Sequence, residues 1–364
     1  MSIKDETIKI AMVGISGTGK SSFISSLNQK FIISSTNGIT ILPRKEEQDE
    51  FFSVGELSNY SVNNEIGTDR TTIYKLKLKV DTDIVCNFDF IDYRGGILDD
   101  MFKQNKNKEE VEITKEYIRN SDAILVMVDS VMLSKYDENK RKIATGADKI
   151  NPLFNIFEDE LSNRGMSLLL LLSKSDSSAI NPEDKANNYT LLANKALTTF
   201  NIVYECAKRQ IENNWNFGIL PITSMGEGNS ITTEVVNKDI DDTINSLPVS
   251  YVSKLKKGAY PTSKNIDVAL LYSITEALKS KVNRYENEIQ IFENTLKKLE
   301  LEKDRNKSII SFGKKAKVKQ DLDSKINILK ERISLDKKEE EKIKEDIDKI
   351  LKKVNVEDEI LFSF

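Results

Sequence analysis

Short apolar runs recur along the first two thirds of the chain and predict the strands of a sheet. Residues 8–13 (IKIAMV), 123–130 (AILVMVDS) and 166–173 (MSLLLLLS) are continuous apolar stretches. Such stretches are typical of parallel strands that helices cover on both faces. Residues 71–80 and 84–92 flank a tight turn and predict a hairpin, whose first strand alternates apolar and basic residues as an edge strand does.

Helical stretches separate these strands. Residues 20–30, 152–164 and 182–214 carry helical patterns, and residues 217–224 (FGILPITS) predict one more strand. The alternation of strands and helices predicts an α/β fold with a mostly parallel sheet. The stretch 31–70 is long for a connection, and loops of this length are usually functional or partly disordered.

After residue 282 the pattern changes to that of a coiled coil. Apolar residues recur at spacings of four and three, and this spacing is lost across 303–319. The pattern predicts two helices, about 267–305 and 315–353, that fold back on each other around Gly313, and a continuous dimeric rod is the alternative. The seam residues are Tyr285, Ile289, Phe292, Leu296, Leu299, Leu322, Ile326, Leu329, Ile333, Ile343, Ile347 and Ile350.

The chain therefore has two predicted domains, an α/β domain at 1–280 and a helical coiled-coil domain at 281–364. A length of 364 residues suits one large or two modest domains.

The amino-acid composition excludes several kinds of catalytic and metal-binding site. The chain has no histidine, which excludes a Ser-His-Asp triad, a zinc–histidine site and an imidazole base. Cys86 and Cys206 lie far apart and in no metal or redox spacing, so reduced thiols are expected. The net charge of −4 does not indicate a nucleic-acid partner. The acidic start does not resemble a signal peptide, and no apolar run approaches the roughly 20 residues that span a bilayer. We expect a cytoplasmic protein.

The strongest motif follows the first predicted strand. The stretch GISGTGKS, residues 14–21, fits the pattern G-x-x-x-x-G-K-[ST] and lies between a strand and a helix. Glycines let backbone amides turn toward phosphate oxygens, and the helix N-terminus adds a partial positive charge. In this interpretation Lys20 reaches the β- and γ-phosphates, and the Ser21 hydroxyl binds Mg²⁺. The residues expected to contact nucleotide here are Gly14, Ser16, Gly17, Thr18, Gly19, Lys20, Ser21 and Ser22.

Three further stretches bear on which nucleotide is bound. Asp92 begins DYRG, and it would hold Mg²⁺ through water while Gly95 offers its amide to a γ-phosphate. In SKSD, Asp176 would accept hydrogen bonds from the N1–H and 2-amino groups of guanine, while Lys174 covers the base. Adenine lacks that pair of donors, so such a site rejects ATP. In the last stretch, Thr223-Ser224-Met225, a backbone amide of Ser224 or Met225 would reach guanine O6.

Taken in order, these elements resemble those of the translation-factor-related P-loop GTPases, which include Ras-like proteins. That class carries GxxxxGK[ST], a switch threonine, DxxG, [NT]KxD and SA[KL]. This chain has GISGTGKS, a threonine cluster, DYRG, SKSD and TSM, and the resemblance covers about residues 8 to 280. The stretch FIDYRGGILDD is also similar to bacterial double-GTPase domains. The resemblance implies GTP or GDP and Mg²⁺ as ligands.

The sequence departs from that pattern at three places. Serine replaces Asn or Thr in the fourth motif, Met225 stands where alanine is usual, and Gly96 stands where Ras-like members carry a glutamine that orients the attacking water. Slow intrinsic hydrolysis, or a water positioned by another group, is the hypothesis that follows.

The switch threonine is ambiguous. Thr71 is the first candidate for the Mg²⁺ ligand, Thr72 the second, and Thr68 also precedes the strand. Arg70 is either a cis arginine finger or a solvated loop residue. We assign the catalytic roles to Lys20, Arg70 and Thr71, and the metal to Ser21, Thr71 and Asp92.

The sequence thus predicts a Mg²⁺-dependent GTPase that acts as a switch or assembly protein through its coiled-coil end. A non-hydrolysing GTP-binding scaffold and an ATPase of the same loop class are the alternatives. The predicted partners are a guanine nucleotide and a protein or second copy bound through the coiled coil. The basic tip at 303–319 either touches an anionic membrane surface or packs on protein.

Overall fold

The computed structural model describes residues 7–33, 37–44, 71–93, 96–102, 108–161, 165–236, 249–309, 312–354 and 360–363. By its contacts the chain divides into two compact units. One comprises Met1–Ala277 together with Ile350–Phe364, and the other comprises Leu278–Lys349. The sequence-based division at 1–280 and 281–364 stays a proposal for the domain organisation, and contacts group the end of the chain with the first unit.

The strands of the described ranges form one large sheet and one ribbon. They are β1 (Ile8–Val13), β2 (Ile39–Pro43), β3 (Thr72–Val80), β4 (Asp83–Asp92), β5 (Ala123–Asp129), β6 (Ser167–Ser173), β7 (Asn216–Pro221), β8 (Ser230–Val236), β9 (Val249–Leu255) and β10 (Phe362–Ser363). The large sheet has the order β10-β7-β6-β5-β1-β4-β3-β2.

The helices cover this sheet and then continue into a hairpin. They are α1 (Lys20–Asn28), α2 (Ile97–Phe102), α3 (Lys108–Arg119), α4 (Ser130–Lys135), α5 (Glu138–Thr145), α6 (Ala147–Leu161), α7 (Pro182–Thr199), α8 (Asn201–Arg209), α9 (Ile266–Ile309) and α10 (Phe312–Leu351). The helix predicted at 182–214 is broken in the structure, because Phe200 separates α7 from α8 and the backbone of α7 is non-helical from Ala186 to Tyr189.

The central strands are parallel, as their apolar runs predict. β1 pairs in parallel with β4 and β5, and β6 pairs in parallel with β5 and β7. β5 and β6 are buried along their whole length. Their carboxyl ends therefore meet at one edge of the sheet, where open α/β folds bind ligands.

The predicted hairpin is confirmed as β3–β4, but its first strand is not at the edge of the sheet. β2 pairs with the other side of β3, in a register that places Ile41 opposite Leu78. Alternate residues of β2 are buried, including Ile39 and Ile41. The short strand was missed because it lies within a mostly polar stretch.

The second unit is an antiparallel helical hairpin, and this confirms the predicted fold-back over the dimeric rod. Ion pairs join the two helices, for example Glu293 with Lys337 at 2.8 Å and Glu300 with Lys330 at 3.0 Å. Gly313, around which the fold-back was predicted, falls within α10, which begins at Phe312. The tip side chains at 306–319 lie outside the described residues. None of the described helices is long and apolar enough to cross a membrane.

Candidate functional site

The phosphate loop connects β1 to α1 and depends on glycine at two points. A Cβ on Gly14 would lie 2.8 Å from Thr18 Oγ1 and 3.1 Å from the Met127 carbonyl oxygen, so a larger residue does not fit. Gly19 has φ 96° and forms the N-cap of α1. Because Gly19 has no side chain, it leaves the first amides of α1 uncapped. An amide cluster at a helix N-terminus is a ready site for an anion.

The other predicted loop residues differ in exposure, and Thr18 is buried. Ser16 and Gly17 are exposed, and Ser22 is half-buried in the first turn of α1. Gly17 also has a left-handed backbone, with φ 80°.

Lys20 folds back over its own loop. Its Nζ donates to the carbonyl oxygens of Gly14 at 2.8 Å and Ile15 at 3.1 Å. Burial lowers the pKa of Lys20 from its usual 10.5 to about 8, and the nearby Asp92 carboxylate opposes this shift. The ammonium also lies 5.8 Å from the ring centroid of Tyr93. Phosphate oxygens would offer this ammonium stronger acceptors than the two neutral carbonyls.

Ser21 and Asp92 meet beside that lysine. The Ser21 hydroxyl lies 3.5 Å from Asp92 Oδ2, although 71 positions separate the two residues. Asp92 is 2% exposed at the carboxyl end of β4, which pairs with β1. A hydroxyl and a carboxylate next to a phosphate cradle are oxygen ligands that suit Mg²⁺. The residues present therefore fit the predicted cation.

The structure describes part of the predicted switch region. Thr71 Oγ1 donates to Glu110 Oε1 at 2.6 Å, and Thr72 is buried in β3 opposite Asp92. The choice between these threonines stays a prediction. Thr68, Arg70, Arg94 and Gly95 lie outside the described residues.

Gly96 lies at the start of α2. Its carbonyl oxygen accepts from the amides of Asp99 at 3.0 Å and Asp100 at 3.2 Å. A glycine has no side chain that could orient a water molecule, so this position does not supply the group found in Ras-like proteins.

The SKSD loop is tied directly to the phosphate loop. Ser173 Oγ lies 2.7 Å from the Thr18 carbonyl oxygen and 3.1 Å from the Val128 carbonyl oxygen. Lys174 has φ 55°, and its Nζ donates to Asp129 Oδ2 at 2.5 Å. The contact with Thr18 joins the base-side loop to the phosphate loop, and the contacts with Val128 and Asp129 bind it to the end of β5.

Asp176 has a carboxylate oxygen that can accept a hydrogen bond from a ligand. Its Oδ2 is buried and has no hydrogen-bond partner among the described residues. The backbone carbonyl of Asp176 accepts from Lys185 Nζ at 3.2 Å, which fixes the loop without using the side chain. A buried acceptor left unpaired costs free energy, which a ligand with matching donors recovers. The guanine edge has such donors, and the base-binding role of Asp176 stays a prediction.

The third base-side stretch follows β7. Ser224 and Met225 are half-buried, and the Met225 carbonyl oxygen accepts from the Thr262 amide at 3.0 Å. The β8–β9 ribbon that follows is linked to the SKSD loop, because Thr232 and Ser177 share a hydroxyl–hydroxyl hydrogen bond of 2.6 Å.

Asp129 is a site residue that the sequence analysis missed. It ends β5 in register with Ser173, accepts from Lys174, and caps α4 by accepting from the Val131 and Met132 amides. Its signal was available, because an acid directly after a buried apolar strand also marked Asp92. The motif pattern assigns no role to that position, so no role was predicted for the carboxylate.

Comparison with known proteins identifies the family to which this chain belongs. The family model described as Double-GTPase 2 matches residues 8–218, more than half of the chain. Among solved structures, the chain is similar to one titled "Signal recognition particle receptor SRb-GTP/SRX complex from Chaetomium thermophilum", with a TM-score of 0.37 and 12% identity over 61% of this chain and 93% of that chain. No curated protein matches the chain. The chain belongs to the Double-GTPase 2 family, and its first unit carries a P-loop GTPase domain of the Ras-like and translation-factor type.

Proposed function

We propose that this protein binds GTP with Mg²⁺ and hydrolyses it to GDP and phosphate, with water as the acceptor. The observation that carries the proposal is the meeting of Ser21 and Asp92, 3.5 Å apart, beside the buried ammonium of Lys20. The adjacent residues Lys20 and Ser21, together with the distant Asp92, thus supply a positive charge and a cation site at the end of a phosphate cradle.

Each residue has a distinct role in this mechanism. Lys20 would neutralise charge on the β- and γ-phosphates, while Ser21 and Asp92 would hold the cation. Mg²⁺, when bound, neutralises the charge that develops as the γ-phosphoryl group leaves. Asp176 and Lys174 bind the base and so fix where the phosphates lie. Positioning and charge stabilisation carry most of phosphoryl transfer, so no nucleophilic side chain is required.

The protein then acts as a nucleotide-controlled switch or assembly protein. The Thr71–Glu110 hydrogen bond supports this role, because the predicted metal ligand lies in that contact in the structure. A γ-phosphate with its cation would draw Thr71 away from Glu110, and hydrolysis would release it. The helical hairpin would pass the change to a partner.

Single-turnover hydrolysis tests the proposal. Enzyme in excess over γ-labelled GTP is assayed for phosphate release with Mg²⁺ and with EDTA. We expect release only with Mg²⁺, and a loss of about 100-fold or more in Ser21→Ala, since a metal contact to the transition state is removed. Ser25→Ala is the matched control, because Ser25 lies on the same helix and its buried hydroxyl has no hydrogen-bond partner among the described residues.

A non-hydrolysing scaffold is the second candidate, and Gly96 is the observation that favours it. In that case GTP binds with Mg²⁺ but no phosphate is released in a single turnover, and binding is lost in Ser21→Ala. Measurable phosphate release at the same rate in Ser21→Ala and wild type, or unchanged GTP binding in Ser21→Ala, would contradict the assignment of the cation site itself.

A further inference from the structure

Along one side of helix α10, lysines form ion pairs with glutamates of α9. Glu286, Glu293 and Glu300 on α9 pair with Lys344, Lys337 and Lys330 on α10, at 2.8, 2.8 and 3.0 Å. On each helix the members are seven residues apart, so they lie along a single side. We call this set the ladder.

The opposite side of α10 carries a second stripe with the same spacing. Asp321, Ile328, Leu335 and Lys342 are also seven residues apart and are all exposed. Ile328 and Leu335 lie two residues before ladder lysines, which corresponds to about 200° around a helix. Ile328 is 62% exposed and Leu335 is 59% exposed. The hairpin therefore buries one apolar seam and exposes the centre of another.

The residues along this stripe are complementary to the same stripe read in the opposite direction. It reads acid, apolar, apolar, base. Against a second α10 running in the opposite direction, Asp321 meets Lys342 of the second copy, and Ile328 meets its Leu335. The same contacts repeat across the two-fold axis, which would pass between Glu331 and Arg332. A parallel arrangement would instead set acid on acid and base on base.

We propose that α10 docks antiparallel on α10 of a second copy of this chain through the stripe Asp321, Ile328, Leu335 and Lys342. The complementary ends and the apolar centre fit the isologous contact of a two-fold dimer. Asp321 already pairs with Lys325 at 2.7 Å, but that pair is largely exposed and costs little to exchange. Lys325 opposes Lys338 of the second copy, which weakens the contact.

The contact is small. The stripe spans about 32 Å of helix and supplies two apolar side chains from each copy. We therefore expect a dimer that forms reversibly at about 10–100 μM rather than an obligate one. This inference concerns the helical unit and does not depend on hydrolysis.

Sedimentation equilibrium of the full chain, saturated with GDP over a wide concentration range, tests the contact. We expect a monomer–dimer equilibrium in wild type. The double variant Ile328→Ser with Leu335→Ser should weaken it by about 100-fold, because four buried apolar side chains are lost from the interface. Leu301→Ser is the control, since Leu301 is 60% exposed on α9, the helix outside the contact, and it should change nothing.

Charge exchange tests the orientation. Asp321→Lys alone and Lys342→Asp alone each create two repulsive pairs, and each should weaken the dimer about 10-fold. The double exchange restores both pairs and should return the wild-type dissociation constant. Circular dichroism confirms that every variant keeps its helical content. A monomeric wild type, a dimer that survives the serine variant, or a double exchange no better than the single ones would each overturn the proposal.

Discussion

Replacing Asp176 by asparagine should change the base that the protein prefers. In the structure Asp176 Oδ2 is buried without a hydrogen-bond partner among the described residues, so the carboxylate has an acceptor to offer. Guanine presents two donors, N1–H and the 2-amino group. Asparagine has one carbonyl acceptor and one NH₂ donor group, so it would match N1–H but place its own NH₂ group against the 2-amino group.

The magnitude follows from the hydrogen bonds that are lost. A hydrogen bond to a charged group contributes about 1.5–3 kcal/mol, and the variant loses one such bond and the charge behind the other. We therefore expect GDP to bind about 100- to 1000-fold more weakly. Xanthine carries a carbonyl at the 2-position, which accepts from the asparagine NH₂, so XDP should bind the variant more tightly than GDP. The wild-type carboxylate should repel that carbonyl.

Calorimetric titration of GDP, XDP and ADP with Mg²⁺ measures this exchange. Asp137→Asn is the matched control, because Asp137 is exposed and caps α5 through an interaction that asparagine also makes. The unliganded Asp176→Asn protein should be no less stable than wild type, since a buried charge is removed. GDP affinity within threefold of wild type in the variant, or equal binding of GDP and ADP by wild type, would refute the base-reading role.

Three further predictions concern the residues around the nucleotide. Ser173→Ala removes the hydroxyl that bonds the phosphate loop, and it should lower the free energy of unfolding, measured in urea, by about 1–2 kcal/mol. Ser167→Ala is the control and should change this free energy little, because Ser167 is a buried residue of the same strand whose hydroxyl has no partner among the described residues. The pKa of Lys20 is about 8 in the folded state and 10.5 in the unfolded state, so the unfolded state binds more protons between these two pH values. The free energy of unfolding of the unliganded protein should therefore rise by about 2 kcal/mol from pH 7 to 9.5, relative to the same change in Lys20→Met. Gly146→Ala should destabilise by about 1–2 kcal/mol more than Gly258→Ala, because both glycines have left-handed backbones but only at Gly146 would a Cβ meet a side chain, at 2.3 Å. A thermal melt of both variants checks this difference.

The central sheet could be predicted because burial dictates it locally. The strands β5 and β6 are covered on both faces, so nearly every residue is apolar and the signal needs no tertiary information. The strand β10 could not be predicted, since it has two residues and exists only through its pairing with β7. The β8–β9 ribbon was missed for a related reason. Its outward residues, such as Ile231 and Val252, are exposed and mixed with polar neighbours, so no clean alternation marks it.

The candidate site was predicted where chemistry fixes a spacing along the chain and was missed where partners meet only in space. The phosphate loop is continuous in sequence, so its pattern is complete there. Asp129 joins the site only because β5 and β6 pair in register, which places it next to Ser173 and within reach of Lys174. Sequence reasoning had no means to fix that register, although an acid at the end of a buried strand was a usable signal.

The serine in the fourth motif, Ser173, affects how strongly the base-side loop is bound to the phosphate loop. Ser173 Oγ lies within hydrogen-bond distance of two carbonyl oxygens, those of Thr18 and Val128. A hydroxyl carries one proton and satisfies one of them at a time, whereas the two protons of an asparagine amide could satisfy both. The link between the base-side loop and the phosphate loop is therefore weaker here. Asp129 separately binds the base-side loop to the end of β5 by accepting from Lys174. The two contacts together make the base site and the phosphate site one preorganised body, so that damage to either loop should lower affinity for the whole nucleotide.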